Sequence, residues 1–133
     1  MTRVTWSAAA LVGYLLASCS VLTPVSPEEL VAARAQERLD LMWSGEMKQS
    51  YEYTTPGYRS ARTWQQYSRN WQGVGMWVSA SVVKVECSEF APRERCEATV
   101  RVAYQAPKVT PGVTHLKETW LYVEGDWYLY QQI

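Results

Sequence analysis

The chain has 133 residues, with 13 Lys+Arg against 13 Asp+Glu and a formal net charge of +0 at pH 7. That balance excludes nucleic acid or a strongly anionic surface as the main partner, and the length suits one domain with one modest core. Hydrophobic content of 47% is ordinary for a globular domain, but 7 Trp and 9 Tyr stand against a single Phe. Residues with an apolar body and a polar handle suit half-exposed positions at a pocket or interface, or a thin core.

Residues 1–18 read as an address label. Arg3 precedes a mostly apolar run from Val4 to Leu16, about the length of a signal-peptide core and short of the ~20 residues of a membrane span. The run closes on Leu16-Ala17-Ser18-Cys19, which resembles the lipobox of bacterial lipoproteins. The resemblance implies cleavage before Cys19 and acylation of Cys19. With Ser20 following, it also implies a lipid-anchored protein on the periplasmic side of the outer membrane. An ordinary secretory peptide with a chance cysteine, or a single membrane anchor, are the competing readings. The organisation expected is a signal peptide over 1–18, a lipidated Cys19 with its tether over 19–26, and a folded domain over 27–133.

Ser26-Pro27-Glu28-Glu29 opens a helix: Ser26 caps, Pro27 occupies the first turn, and Glu29 closes a capping box. Val31, Ala32, Ala35, Leu39, Met42 and Trp43 form its apolar stripe, and Ser44-Gly45 ends it. A shorter helix is expected over 46–53 and a turn over 54–58. A third helix, capped by Ser60, is expected to carry Trp64, Tyr67 and Trp71 on one face. Past Gly73-Val74-Gly75 the pattern turns to strands, over 76–87, 96–104 and two further runs.

Cys87 and Cys96 flank a polar loop broken by Pro92. In an exported chain a disulfide is the default. Pairing the two cysteines in an antiparallel ladder sets Val85 opposite Ala98 and Val83 opposite Val100, gathering apolar side chains on one face. The alternative, a redox or metal pair, lacks a CxxC motif and has one His in the whole chain.

The last two strands flank Glu124-Gly125-Asp126, a hairpin signal. Whether the turn is Glu124-Gly125 or Gly125-Asp126, Trp120, Tyr122, Trp127 and Leu129 share one face, and Leu121, Val123, Tyr128 and Tyr130 share the other. Two largely apolar faces predict a central piece of the sheet. Helices first and strands after predict an α+β fold, N-terminal helices on a curved antiparallel sheet of about four strands.

Trp43-Ser44-Gly45-Glu46 after a long helix, then residues 51–59, then Glu124-Gly125-Asp126-Trp127-Tyr128-Leu129, resemble the nuclear transport factor 2-like superfamily. The resemblance implies a cone with the sheet wrapped around the long helix. It spans isomerases, dehydratases, ligand carriers and assembly subunits, so it does not choose a function.

Enzymes of that family use an Asp, a His–Asp pair or Tyr donors inside the cone. Here Asp40 falls on the polar side of the first helix and Asp126 in the hairpin turn, while His115 has no acidic neighbour in sequence. Glu118, on the face of Trp120, is the best candidate for an inward carboxylate, but exposure or pairing with Arg101 is the favoured reading. No phosphate loop, nucleophile elbow or metal-ligand spacing occurs, so no cofactor and no metal are expected. The expectation is a non-enzymatic accessory subunit of an envelope complex, meeting a protein partner through Leu121, Val123, Tyr128 and Tyr130. The alternative is a binder of a small apolar or glycan ligand among Trp64, Tyr67, Trp77, Trp120, Tyr122 and Trp127, and a third reading is a small isomerase or dehydratase.

Overall fold

The computed structural model describes residues 23–91 and 94–133. The expected signal segment, Cys19 and the loop-breaking Pro92 lie outside the described residues. The element order is α1 (Pro27–Trp43), α2 (Met47–Tyr51), α3 (Pro56–Ala61), α4 (Trp64–Arg69), a 3₁₀ turn (Gln72–Met76), then β1 (Trp77–Cys87), β2 (Arg95–Tyr104), β3 (Gly112–Val123) and β4 (Asp126–Leu129). The four strands form one antiparallel sheet in sequence order, so the α+β expectation holds.

Helix α1 starts and stops where its chemistry says. Ser26 N–H donates to Glu29 Oε2 at 2.9 Å and Glu29 N–H to Ser26 Oγ at 3.2 Å, completing the capping box. At the other end Gly45 takes φ +87, Glu46 N–H reaches Leu41 O at 2.8 Å and Gly45 N–H reaches Met42 O at 3.2 Å. This is a Schellman stop, which a side chain with a Cβ would strain. The buried face is Val31, Ala35, Arg38, Leu39 and Met42. Trp43, expected in the stripe, is 51% exposed.

The segment after α2 differs from expectation. Two short helices stand where one was predicted, capped by Thr55 and Thr63, the latter in a capping box with Gln66. Ser60, the predicted cap, instead donates to Gly57 O from inside α3. Pro56 at the first turn of α3 reserves the cap for Thr55.

Helix α1 contacts β1, β2 and β4, and β1 and β4 are the two edges of the sheet. Four strands span roughly 14 Å at ~4.8 Å spacing, wider than the contact face of one helix, so the sheet curls around α1. Irregularities in β1 between Trp77 and Ser79 and between Val82 and Lys84 bend it. The second also corrects the predicted register. Cys87 pairs with Cys96 and Val85 with Ala98 as expected, but Val82, not Val83, lies opposite Val100. Val83 is pushed out and is 51% exposed.

The hairpin turn is Glu124-Gly125, with φ of 51 and 89, since Val123 pairs with Asp126 and Trp120 with Leu129. Positive φ at both central residues matches the right-handed twist of the strands. The hairpin closes one side of the sheet instead of lying at its centre, because β4 is an edge strand. Both edges are nonetheless occupied. Leu129 N–H donates to Tyr53 O at 2.7 Å and Thr55 N–H to Leu129 O at 3.1 Å. On β1, Gln36 Nε2 donates to Ala80 O at 3.2 Å and Val82 N–H donates to Gln36 Oε1 at 3.0 Å. Cys87 and Cys96 are joined by a disulfide with Cα atoms 3.9 Å apart.

Candidate functional site

The interior between α1 and β3 holds charge. Arg38 is 0% exposed and Glu118 4% exposed, and Arg38 Nη1 donates to Glu118 Oε1 at 2.6 Å. Arg38 lies on the buried side of α1, a turn from Ala35 and Met42. Glu118 lies opposite Ala98 and two residues before Trp120, so the pleat turns it inward. Trp120 Nε1 donates to the second carboxylate oxygen, Oε2, at 3.2 Å. Arg38 Nε donates to the Tyr67 hydroxyl at 3.0 Å, and that O–H faces Met42 Sδ at 3.8 Å with Ser50 Oγ 3.2 Å away. The guanidinium also stacks 4.6 Å from the Trp71 ring centre.

Burial alone would lower the basicity of Arg38, but Glu118 and the Tyr67 oxygen outweigh it and hold the group above its ordinary value. Arg38 therefore keeps its charge, held against Glu118 by the 2.6 Å contact. Both oxygens of Glu118 have donors, and none of the larger recesses of the surface reaches the carboxylate. The alternative partner, Arg101, lies opposite exposed His115 on the outer sheet face and cannot meet Glu118. Sequence reasoning missed Arg38. The signal was present: positions 31, 35, 38 and 42 continue one helical stripe.

The predicted pocket residues are distributed over separate packing clusters. Trp120 and Trp127 sit in the core with Val31 and Leu129. Tyr67 and Trp64 belong to a separate cluster with Tyr51 and Tyr58 under the short helices. Trp77 packs against the Leu39 cluster and edge-on to Trp71, with ring centres 6.5 Å apart. Tyr122 lies at the hairpin end, 5.3 Å from the Trp127 ring. Of the predicted contact residues, Leu121, Val123 and Tyr128 are half-buried and Tyr130 is exposed. The Tyr128 ring has the guanidinium groups of Arg34 and Arg59 at 5.7 and 5.3 Å. Asp40 accepts from Gln36 and Asp126 pairs with Arg34 at 3.1 Å.

What the helices do leave open is a groove of about 440 Å³ lined by Met42, Trp43, Met47, Trp71, Val74 and Trp77, with small polar groups at its margin. The Schellman stop at Gly45 turns the chain so that the end of α1 and the start of α2 form one wall. The 3₁₀ turn forms the other. Among the described residues no group of three His, Cys, Asp or Glu is placed to hold a metal, and no helix is long and apolar enough to cross a membrane.

Fold and site together define a small α+β domain built around a buried ion pair, with a Trp- and Met-lined groove at its helical end. No family model matches the chain, and no curated protein matches it. Among solved structures, it is similar to the solution structure of a SEC-C motif containing protein from Rhodopseudomonas palustris, with 18% identity, a TM-score of 0.48, and coverage of 80% of this chain and 76% of that one. The family expectations are corrected accordingly: the comparisons support neither the bacterial lipoprotein nor the nuclear transport factor 2-like assignment. The motifs that suggested the second are a helix stop at Ser44-Gly45 and a hairpin turn at Glu124-Gly125, chemistry that many α+β folds share.

Proposed function

We propose that this chain is a non-enzymatic binding module of an oxidising compartment, and that its contact surface is the groove lined by Met42, Met47, Trp71 and Trp77. The observation that carries this reading is the open Trp- and Met-lined groove beside an interior in which Glu118, the one buried carboxylate among the described residues, is already paired with Arg38. Trp and Met are enriched where proteins grip apolar segments, because large or adaptable side chains give much contact at little ordering cost. The Cys87–Cys96 bond supports the compartment, since such bonds persist outside the reducing cytosol.

The test is site-specific photo-crosslinking in intact cells from Trp43, on the groove wall, with Thr99 on the outer sheet face as control. The expected result is a discrete adduct from Trp43 that is absent from Thr99. Equal adducts from both positions, or none from Trp43, overturn it. A groove of this volume also falls in the range of small-ligand sites, roughly 300–1,000 Å³. That second reading predicts saturable change of groove Trp fluorescence by a small apolar ligand, with no protein adduct.

A further inference from the structure

A second recess lies on the other side of α4 from the groove. Its volume is about 270 Å³, and it is lined by Tyr58, Arg62, Gln66, Arg69, Asn70, Gln132 and Ile133. Apart from the apolar Ile133, its side chains are polar or cationic: two guanidinium groups, two side-chain amides from glutamine, one from asparagine and a phenol, with no side-chain carboxylate on the wall.

The local fold explains the convergence. Arg62 is the C-cap of α3, Thr63 is the N-cap of α4, and Arg69 is the last residue of α4. Two helices in immediate succession thus bring one arginine from each to a shared wall, and the residues after β4 close the recess. Gln66 already spends its amide oxygen on Thr63 N–H at 2.8 Å, which leaves its NH₂ group as the available half. Tyr58 is buried, and burial raises its pKa despite the opposing Arg62 charge, so the phenol keeps its proton at neutral pH.

The arginines themselves are unneutralised. Arg34, Arg38 and Arg59 each face a carboxylate, in the pairs with Asp126, Glu118 and Glu52. Arg62 and Arg69 have no such partner among the described residues. Two cations converging on a donor-rich recess repel each other until an anion sits between them.

We propose that this recess binds the oxyanion group of a small ligand, a phosphate or carboxylate held by Arg62 and Arg69 with Tyr58 O–H and Gln66 NH₂ as further donors. Planar guanidinium groups match such oxygens with paired hydrogen bonds. The recess is smaller than the usual drug-sized site, so it takes a head group and leaves any larger body of the ligand in solvent. This inference is independent of the groove.

The experiment is a two-dimensional amide NMR titration with inorganic phosphate and, separately, citrate, at constant ionic strength set with sodium chloride. Saturable shifts are expected at residues around Arg62 and Arg69, and the Arg62→Gln/Arg69→Gln double variant should weaken binding about tenfold or more. Both positions are exposed, so the variant folds; Trp43→Ala in the groove should leave the titration unchanged. Shifts that track chloride equally, or a double variant that titrates like the parent, show an ionic-strength effect only and overturn the proposal. A parallel arm uses phosphatidylglycerol against phosphatidylcholine vesicles. Binding to the anionic vesicles without binding free phosphate or citrate overturns the small-ligand assignment in favour of a lipid surface.

Discussion

Arg38 and Glu118 carry opposite charges into a place water does not reach, and each is stable there because the other is present. Removing one partner of such a pair strands the other, at a cost of about 3–5 kcal/mol. Glu118→Ala should lower the urea-unfolding free energy by that amount. The Arg38→Met/Glu118→Leu double variant should recover most of the loss, because well-packed apolar groups replace a buried pair with little penalty. A double variant no more stable than Glu118→Ala would show that the pair contributes more than mutual neutralisation. Half of this centre was offered by strand periodicity, which put Glu118 on the face of Trp120, yet the favoured expectation was exposure or pairing with Arg101, and the structure overturns it. Arg38 was not offered, because arginine as a residue type reads as surface, and only its place between Ala35 and Met42 on the stripe argued otherwise.

Among the elements, α1 was readable end to end because each boundary has a dedicated chemical signal, the Ser26–Glu29 box and the Gly45 stop. The short helices were less so. Thr55, Ser60 and Thr63 are all competent caps within nine residues, and helices this short owe their existence to packing more than to propensity; here that packing is Tyr51, Tyr58 and Tyr67 in mutual contact. Strand β1 shows another limit. Val82-Val83 offers two apolar neighbours, and alternation counted back from Cys87 puts the wrong one inside, because a bulge adds a residue that sequence pattern does not announce. The consequence is measurable by parallel alanine substitutions. Val82→Ala should cost about 1–2 kcal/mol, whereas Val83→Ala should stay within about 0.5 kcal/mol. Equal costs at the two sites would place the irregularity elsewhere.

For the molecule as a whole, the order of helices and strands was enough to predict an α+β layer, and the cysteine pair was enough to predict one ladder. The distribution of aromatic residues was not, since type and spacing do not say which of several clusters a tryptophan joins. The surplus of Tyr over Phe has a physical use that emerges only in three dimensions. Tyr51 O–H donates to Arg62 O at 2.6 Å, Tyr53 O–H to Glu37 at 3.0 Å, and the Tyr67 hydroxyl accepts from Arg38, so these rings fill space and satisfy polar groups at once. The disulfide closes a loop of sequence separation 9, and the loop-entropy relation assigns it about 2–3 kcal/mol. Reduction should lower the unfolding midpoint accordingly while β1 and β2 stay paired, and amide exchange across that ladder checks both halves. Without reductant, neither thiol should react with an alkylating agent.

One side chain carries a wider consequence. The Gln36 amide stands in for a missing strand at Ala80 and Val82, giving that margin of the sheet a false neighbour that never propagates. Were Gln36 replaced by an aliphatic residue, the same backbone groups would become a docking rail for a second copy of the chain. The protection of this sheet margin then hangs on an amide that no catalytic or binding role would have singled out.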